Sequence, residues 1–123
     1  MNALVVEDST TIRMILKKYL GKMGFDVVEA GNGREGLDRL RKMTRTDVVL
    51  VDWNMPEMNG VDFVRAVRAD RGYDVLPLVM VTTNTELENV TEALSAGANE
   101  YIMKPFTSDM IREKLELMGI VKT

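Results

Sequence analysis

Short apolar runs alternate with segments of helical periodicity five times along this chain, and that alternation constrains the fold more than any other feature. Strands that alternate with helices are joined by right-handed crossovers, and such crossovers place the strands in a parallel sheet between layers of helix. The sequence therefore predicts an α/β fold with a doubly wound, five-stranded parallel sheet. The predicted strands are residues 3–6, 25–29, 48–51, 78–81 and 101–103.

Capping and turn residues mark where the intervening helices begin. Ser9 or Thr10 can cap the first helix, and Thr107 can cap the last, because their hydroxyls accept hydrogen bonds from free backbone amides. Asn32-Gly33 is typical of a turn between the second strand and the second helix. These signals divide the chain into regular elements without a linker, so we expect one domain, residues 1–123.

Composition excludes several chemistries. The chain has no cysteine and no histidine, so it has no thiol or imidazole nucleophile, base or metal ligand. Proton transfer and metal binding must therefore be performed by Asp, Glu, Lys or water. A net charge of −3 argues against a broad nucleic-acid surface, and no apolar run reaches the ~18 residues of a membrane span. We expect a cytoplasmic protein with no direct contact to nucleic acid or membrane.

Polar and charged side chains end four of the five predicted strands. Glu7 and Asp8 follow the first strand and Asp52 follows the third, while Thr82 and Lys104 follow the fourth and fifth. Ligands of open α/β sheets bind outside the carboxyl ends of the strands, where the strand order reverses. In the order 2-1-3-4-5, these side chains converge on one crevice.

Three clustered carboxylates repel one another, and a divalent cation relieves that repulsion. Oxygen ligands select a hard ion, so Mg²⁺ (or Mn²⁺) is the predicted cofactor. Asp52 is then a candidate nucleophile toward phosphorus, with Lys104 and the Thr82 hydroxyl stabilising the transferred group. Taken singly, an Asp after a strand is usually a turn former or helix cap, and a lone Lys usually faces solvent. The specific feature is their combination on successive strand ends.

At these residues the chain resembles the receiver domain of bacterial response regulators, over residues 3–118. The resemblance implies a flavodoxin-like fold with the strand order 2-1-3-4-5. It also implies that the domain is a signalling switch in a two-component system rather than an enzyme with an external substrate. The stretches that carry the resemblance are residues 6–9 (VEDS), 51–56 (VDWNMP), 59–60 (NG), 81–82 (VT) and 104–106 (KPF).

The resemblance implies a role for each matching site residue. Asp52 matches the phosphorylated aspartate, and its phosphoryl donor would be a phosphohistidine of a sensor histidine kinase. Glu7 and Asp8 match the acidic pair that binds metal together with Asp52, and Asn54 matches the residue whose backbone carbonyl is a further ligand. Glu7 is a departure, because Asp is common at its position and the extra methylene alters the reach of the carboxylate.

The resemblance further implies how a signal leaves the site. Thr82 matches the hydroxyl that binds the phosphoryl group, Lys104 matches the lysine that pairs with it, and Pro105 is expected to follow a cis peptide bond. Tyr101 matches the aromatic residue whose rotamer reports activation. A downstream protein or a second copy of the chain would read the face formed by the fourth helix, fifth strand and last helix. The expected contact residues there are Glu86, Leu87, Val90, Tyr101 and Lys114.

Two other functions stay open. A Mg²⁺-dependent phosphatase with an aspartyl nucleophile would use the same chemistry, but such enzymes carry a second Asp two residues after the nucleophile, where this chain has Asn54. The chain could also be the receiver of a larger DNA-binding transcription regulator.

Glu86 and Leu87 stand where chemotaxis members of the family have lysines, which puts a flagellar-motor partner in doubt.

Overall fold

The computed structural model describes residues 1–55, 57–83 and 87–121. One parallel sheet has the strand order β2-β1-β3-β4-β5, so the predicted fold class and strand order are confirmed. No helix within these ranges has the length and apolar character needed to cross a membrane. The elements are β1 (Asn2–Val6), α1 (Thr10–Lys22), β2 (Asp26–Ala30), α2 (Gly33–Lys42), β3 (Val48–Asp52), α3 (Gly60–Arg68), a 3₁₀ helix (Arg71–Tyr73), β4 (Leu78–Thr82), α4 (Leu87–Ala96), β5 (Glu100–Met103) and α5 (Ser108–Leu117).

The sheet separates two apolar layers because successive side chains of a strand point to opposite faces. In β1, Leu4 and Val6 pack into the layer beneath α2, α3 and α4, whereas Ala3 and Val5 pack into the layer beneath α1 and α5. Every residue of the central strands β3 and β4 is buried, as expected for strands covered on both faces. The residues at the carboxyl ends of β3 and β4, Asp52 and Thr82, are therefore anchored in strands that are packed on both faces.

Side-chain caps start the helices near the predicted positions. The Ser9 hydroxyl accepts a hydrogen bond from the Ile12 amide at 3.3 Å, which identifies Ser9 rather than Thr10 as the cap of α1. The interpretation of Asn32-Gly33 as a separate turn is wrong. The Asn32 side chain caps α2, and Gly33 is already the first residue of that helix. A side-chain cap and a turn use the same residue types, so the sequence alone did not distinguish them.

An arginine that the sequence pattern did not single out joins three elements at the other end of the sheet. The Arg68 guanidinium, at the end of α3, donates to the carbonyl of Gly97 at 3.0 Å and to the side chain of Asn99 at 2.9 Å. It also donates to the carbonyl of Leu76 at 2.8 Å. These bonds fix the carboxyl end of α4 and the start of β5 against α3.

Alanine substitutions at two glycines, Gly60 and Gly21, are expected to change the unfolding free energy in opposite directions. A Cβ at Gly60 would overlap the Asp52 carbonyl oxygen and lie 2.7 Å from Met80 Cε, so Gly60→Ala is expected to lower the unfolding free energy by about 1–3 kcal/mol. A Cβ at Gly21, within α1, would meet no atom within 4 Å. Gly21→Ala should therefore raise stability by about 0.5–1 kcal/mol, because alanine favours helix.

Urea unfolding midpoints at constant slope measure both effects. A Gly60→Ala protein as stable as the unmodified chain would contradict the close approach of Gly60 to the end of β3.

Candidate functional site

The site is formed where β1, β3 and β5 end at the same edge of the sheet. Glu7 follows β1, Asp52 is the last residue of β3, and Lys104 follows β5. The Lys104 ammonium lies 2.9 Å from Glu7 Oε1 and 3.0 Å from Asp52 Oδ1, so one cation bridges two carboxylates. The peptide bond between Lys104 and Pro105 is cis, in agreement with the resemblance.

An acidic group at this edge has the geometry of a metal site. Glu7, Asp8 and Asp52 each offer a carboxylate oxygen, and these atoms lie within 4.8 Å of one another. Glu7 and Asp52 are buried, whereas Asp8 is exposed to solvent. Carboxylate oxygens on a partly open edge suit a hard divalent cation that keeps several waters. The residues present therefore fit the predicted cofactor class.

Hydrogen bonds fix the position of both the side chain and the backbone of Glu7. Its Oε2 atom accepts a hydrogen bond from the Ser9 amide at 3.1 Å, and its Oε1 atom contacts Lys104. The Arg13 guanidinium donates to the Glu7 backbone carbonyl at 2.8 Å. Sequence reasoning gave Arg13 no role, although its position one turn into the helix that follows the acidic pair is a usable signal. Glu7 is thus oriented toward Lys104 by both its side chain and its backbone.

Burial dominates the electrostatics of the pair of buried carboxyl groups. Desolvation raises the pKa of Glu7 to about 7, against the smaller lowering effect of its hydrogen bond with Lys104. Desolvation likewise raises the pKa of Asp52. Burial by itself lowers the pKa of Lys104, but its hydrogen bonds to Glu7 and Asp52 raise that pKa overall. One ammonium therefore offsets only part of the cost of two buried carboxylates.

The remaining predicted site residues surround Asp52 at different depths. Thr82 is buried at the end of β4, the strand that pairs with β3, and its backbone carbonyl accepts a hydrogen bond from the Lys104 amide at 2.8 Å. Trp53 is half-buried and its amide bonds to the Val81 carbonyl at 3.0 Å. Asn54 lies exposed in the loop after β3. The structure thus brings the hydroxyl-bearing strand next to the acidic group.

The predicted output residues lie away from this crevice. Tyr101 is half-buried on the edge strand β5, Lys114 is half-buried on α5, and Val90 is half-buried on α4. Glu86 lies outside the described residues, and of Leu87 only the backbone is described, as the first residue of α4. A groove of about 390 Å³ runs between β5 and α5, and Tyr101, Lys114 and Leu117 are among the residues that line it.

The chain belongs to the response regulator receiver domain family, whose characteristic pattern matches residues 3–116. Receivers of this CheY-like kind are the signalling switches of two-component systems. The fold and the acidic group at the carboxyl edge of the sheet agree with that membership.

Relatives and solved structures are similar over nearly the whole chain. The chain is 47% identical over 119 residues to Chemotaxis protein CheY1 of Helicobacter pylori, covering 96% of each sequence. It is 49% identical over 117 residues to the Chemotaxis protein CheY homolog of Campylobacter jejuni, covering 94% of this chain and 90% of that protein. The structure of chemotaxis protein CheY4 from Vibrio cholerae superposes with a TM-score of 0.89 at 37% identity, covering 94% of this chain and 96% of that one.

Proposed function

We propose that residues 1–123 form a receiver that accepts a phosphoryl group on Asp52 from a sensor histidine kinase, with Mg²⁺ (or Mn²⁺) as cofactor. The observation that carries the proposal is the bridge from Lys104 to Glu7 and Asp52 within the acidic group. A receiver is favoured over a phosphatase because the family match spans residues 3–116. Catalysis is then limited to the chain's own phosphorylation and dephosphorylation.

The residues of the site can perform the transfer without histidine. An Asp52 carboxylate oxygen forms a bond to phosphorus while the bond from phosphorus to the donor's leaving group breaks. The Lys104 ammonium lies 3.0 Å from Asp52 Oδ1, and this distance supports a role in pairing with the charged phosphoryl oxygens. A divalent cation held by Asp8, Asp52 and the Asn54 carbonyl, with Glu7 direct or through water, would neutralise the carboxylates and polarise those oxygens.

The phosphoryl group then offers new acceptors to Thr82. Thr82 ends the strand beside β3, so a small turn of its side chain could bring the hydroxyl to the phosphoryl oxygens. A hydrogen bond to a charged group is worth about 1.5–3 kcal/mol, enough to shift a two-state population by roughly 10- to 100-fold. Movement of Thr82 leaves space that the Tyr101 ring can fill, and this repacks the face formed by α4, β5 and α5.

The similar proteins suggest which partners bind the face formed by α4, β5 and α5. Relatives named chemotaxis proteins favour a chemotaxis pathway for this chain, with a downstream protein as the partner. A second copy of the chain is the other candidate for the same face. This chain has Glu86 and Leu87 where the family resemblance implies lysines in chemotaxis members, so we expect the partner's complementary surface to differ in charge.

The metal site can be tested by fluorescence because Trp53 is the only tryptophan and adjoins Asp52. Titration with Mg²⁺ is expected to change Trp53 emission, and Asp8→Ala should abolish the change because it removes the exposed carboxylate ligand. Acetyl phosphate should then label the unmodified protein only when the divalent metal is present. Asp109→Ala, on α5, is the matched control and should titrate normally. Labelling that persists in excess chelator would contradict the proposal.

A further inference from the structure

At the edge of the sheet, Lys114 contacts two adjacent residues of β5, Glu100 and Tyr101, and these two residues also contact each other. Its ammonium lies 2.9 Å from Glu100 Oε1 and 5.0 Å from the centre of the Tyr101 ring. The same Glu100 oxygen accepts a hydrogen bond from the Tyr101 backbone amide at 3.1 Å. Glu100, Tyr101 and Lys114 thus form a closed set of contacts, called here the edge triad.

The position of the edge triad allows its contacts to influence the rotamer of Tyr101. Within residues 1–55, 57–83 and 87–121, β5 is an edge strand of the sheet, and no other strand of these ranges pairs with its outer side. The ring packs against the layer beneath α3 and α4, while Lys114 reaches it from α5 on the opposite face. A cation over an aromatic face is attracted to the electron-rich ring, and the attraction is lost when the ring rotates away.

The ion pair sets where that cation sits. Lysine alone is a flexible cation with many rotamers, and an isolated surface contact of this kind contributes little. Here both side chains of the ion pair are about 30% exposed, and the carboxylate is itself fixed by the Tyr101 amide. Glu100 therefore holds the Lys114 ammonium over the ring of the adjacent residue.

We propose that the edge triad is a latch that holds Tyr101 in its resting rotamer and so sets how readily phosphorylation switches the output face. The proposal rests on the proposed receiver function for its consequence, but the effect on the rotamer itself does not. Glu100 acts through Lys114 and is a positioning residue. A ligand that binds the switched state must overcome the contacts that stabilise the resting rotamer. If losing these contacts raises the population of the switched rotamer by some factor, it should tighten the binding of that ligand by the same factor.

The direct test reads the Tyr101 rotamer in the ligand-free protein by NMR of labelled tyrosine. Lys114→Ala and Glu100→Gln should both raise the population of the other rotamer, by roughly 3- to 10-fold for a part-exposed cation–π contact and ion pair. Lys114→Arg should restore the resting rotamer, since arginine can make both contacts. Lys17→Ala is the matched control, because Lys17 pairs with Glu29 between a helix and the opposite edge strand at 3.3 Å.

The functional test measures the apparent affinity for beryllofluoride with Mg²⁺, a stable phosphoryl mimic, by Trp53 fluorescence. Lys114→Ala should bind it roughly 3- to 10-fold more tightly and Lys17→Ala should match the unmodified chain. If Lys114→Ala changes neither the rotamer population nor this affinity, the latch is overturned while the receiver function stands. If the unmodified chain gives no response to beryllofluoride, the receiver function fails, and the rotamer populations alone then decide the latch.

Discussion

Asp52→Asn is expected to abolish phosphorylation of this chain. Incubation of the unmodified protein with acetyl phosphate and Mg²⁺ should add one phosphoryl group, seen as a single increment in intact mass. The variant should stay at background because an amide is not a nucleophile toward phosphorus and because Asp52 is the acidic residue that ends the central strand β3. The rate of labelling should fall by several orders of magnitude, and the chain offers no histidine or cysteine as a substitute acceptor.

The variant should nevertheless remain folded, which separates loss of the acceptor from loss of structure. Burial raises the pKa of Asp52, so its charge is unfavourable in the metal-free fold and a neutral amide should be at least as stable near neutral pH. Asp62→Asn, which changes an exposed carboxylate on α3, is the control and should label normally. Equal labelling of Asp52→Asn and the unmodified protein would show that another residue is the acceptor.

Sequence alone predicted the sheet because its signals are local and repeated. The fully buried runs at 48–51 and 78–81 have few alternatives to central strands, and the polar residues that follow them mark the functional edge. The convergence of Glu7, Asp52 and Lys104 followed from topology, since parallel strands bring their carboxyl ends to one side.

Contacts between distant side chains were not predictable in this way. Arg68 binds carbonyls and a side chain up to 31 residues away, and nothing in its local sequence distinguishes it from other surface arginines. Glu100 likewise forms its ion pair only because α5 places Lys114 beside it. Asn32 was misinterpreted for a different reason, because asparagine before glycine serves both turns and helix caps.

The burial of the Glu7 side chain was also not evident from the sequence, and it has a large effect on how folding stability depends on pH. An acidic pair at a strand end could equally have been solvated at the start of a helix. Instead the Glu7 side chain is buried, and desolvation raises its pKa from 4.5 to about 7. The folded chain therefore binds a proton near neutral pH that the unfolded chain has released, and folding stability depends on pH through that difference.

Without metal, the unfolding free energy is expected to fall as pH rises from about 4.5 to about 7, by up to about 3 kcal/mol from Glu7. Below this window both states hold the proton, and above it neither does, so the slope is confined to the window. The raised pKa of Asp52 adds a fall of the same sign, whereas the raised pKa of Lys104 affects stability only at alkaline pH. Urea unfolding in chelator at several pH values measures the slope.

Glu7→Gln should remove most of this slope, because the amide stays neutral across the window. The matched control is Glu92→Gln, which neutralises an exposed carboxylate on α4 and should leave the slope unchanged. Mg²⁺ competes with the proton for the same carboxylates, so it should stabilise the unmodified protein more at pH 8 than at pH 5. A metal-free protein whose stability is constant or increases from pH 5 to pH 8 would show that Glu7 is charged throughout, and that Lys104 fully compensates its burial.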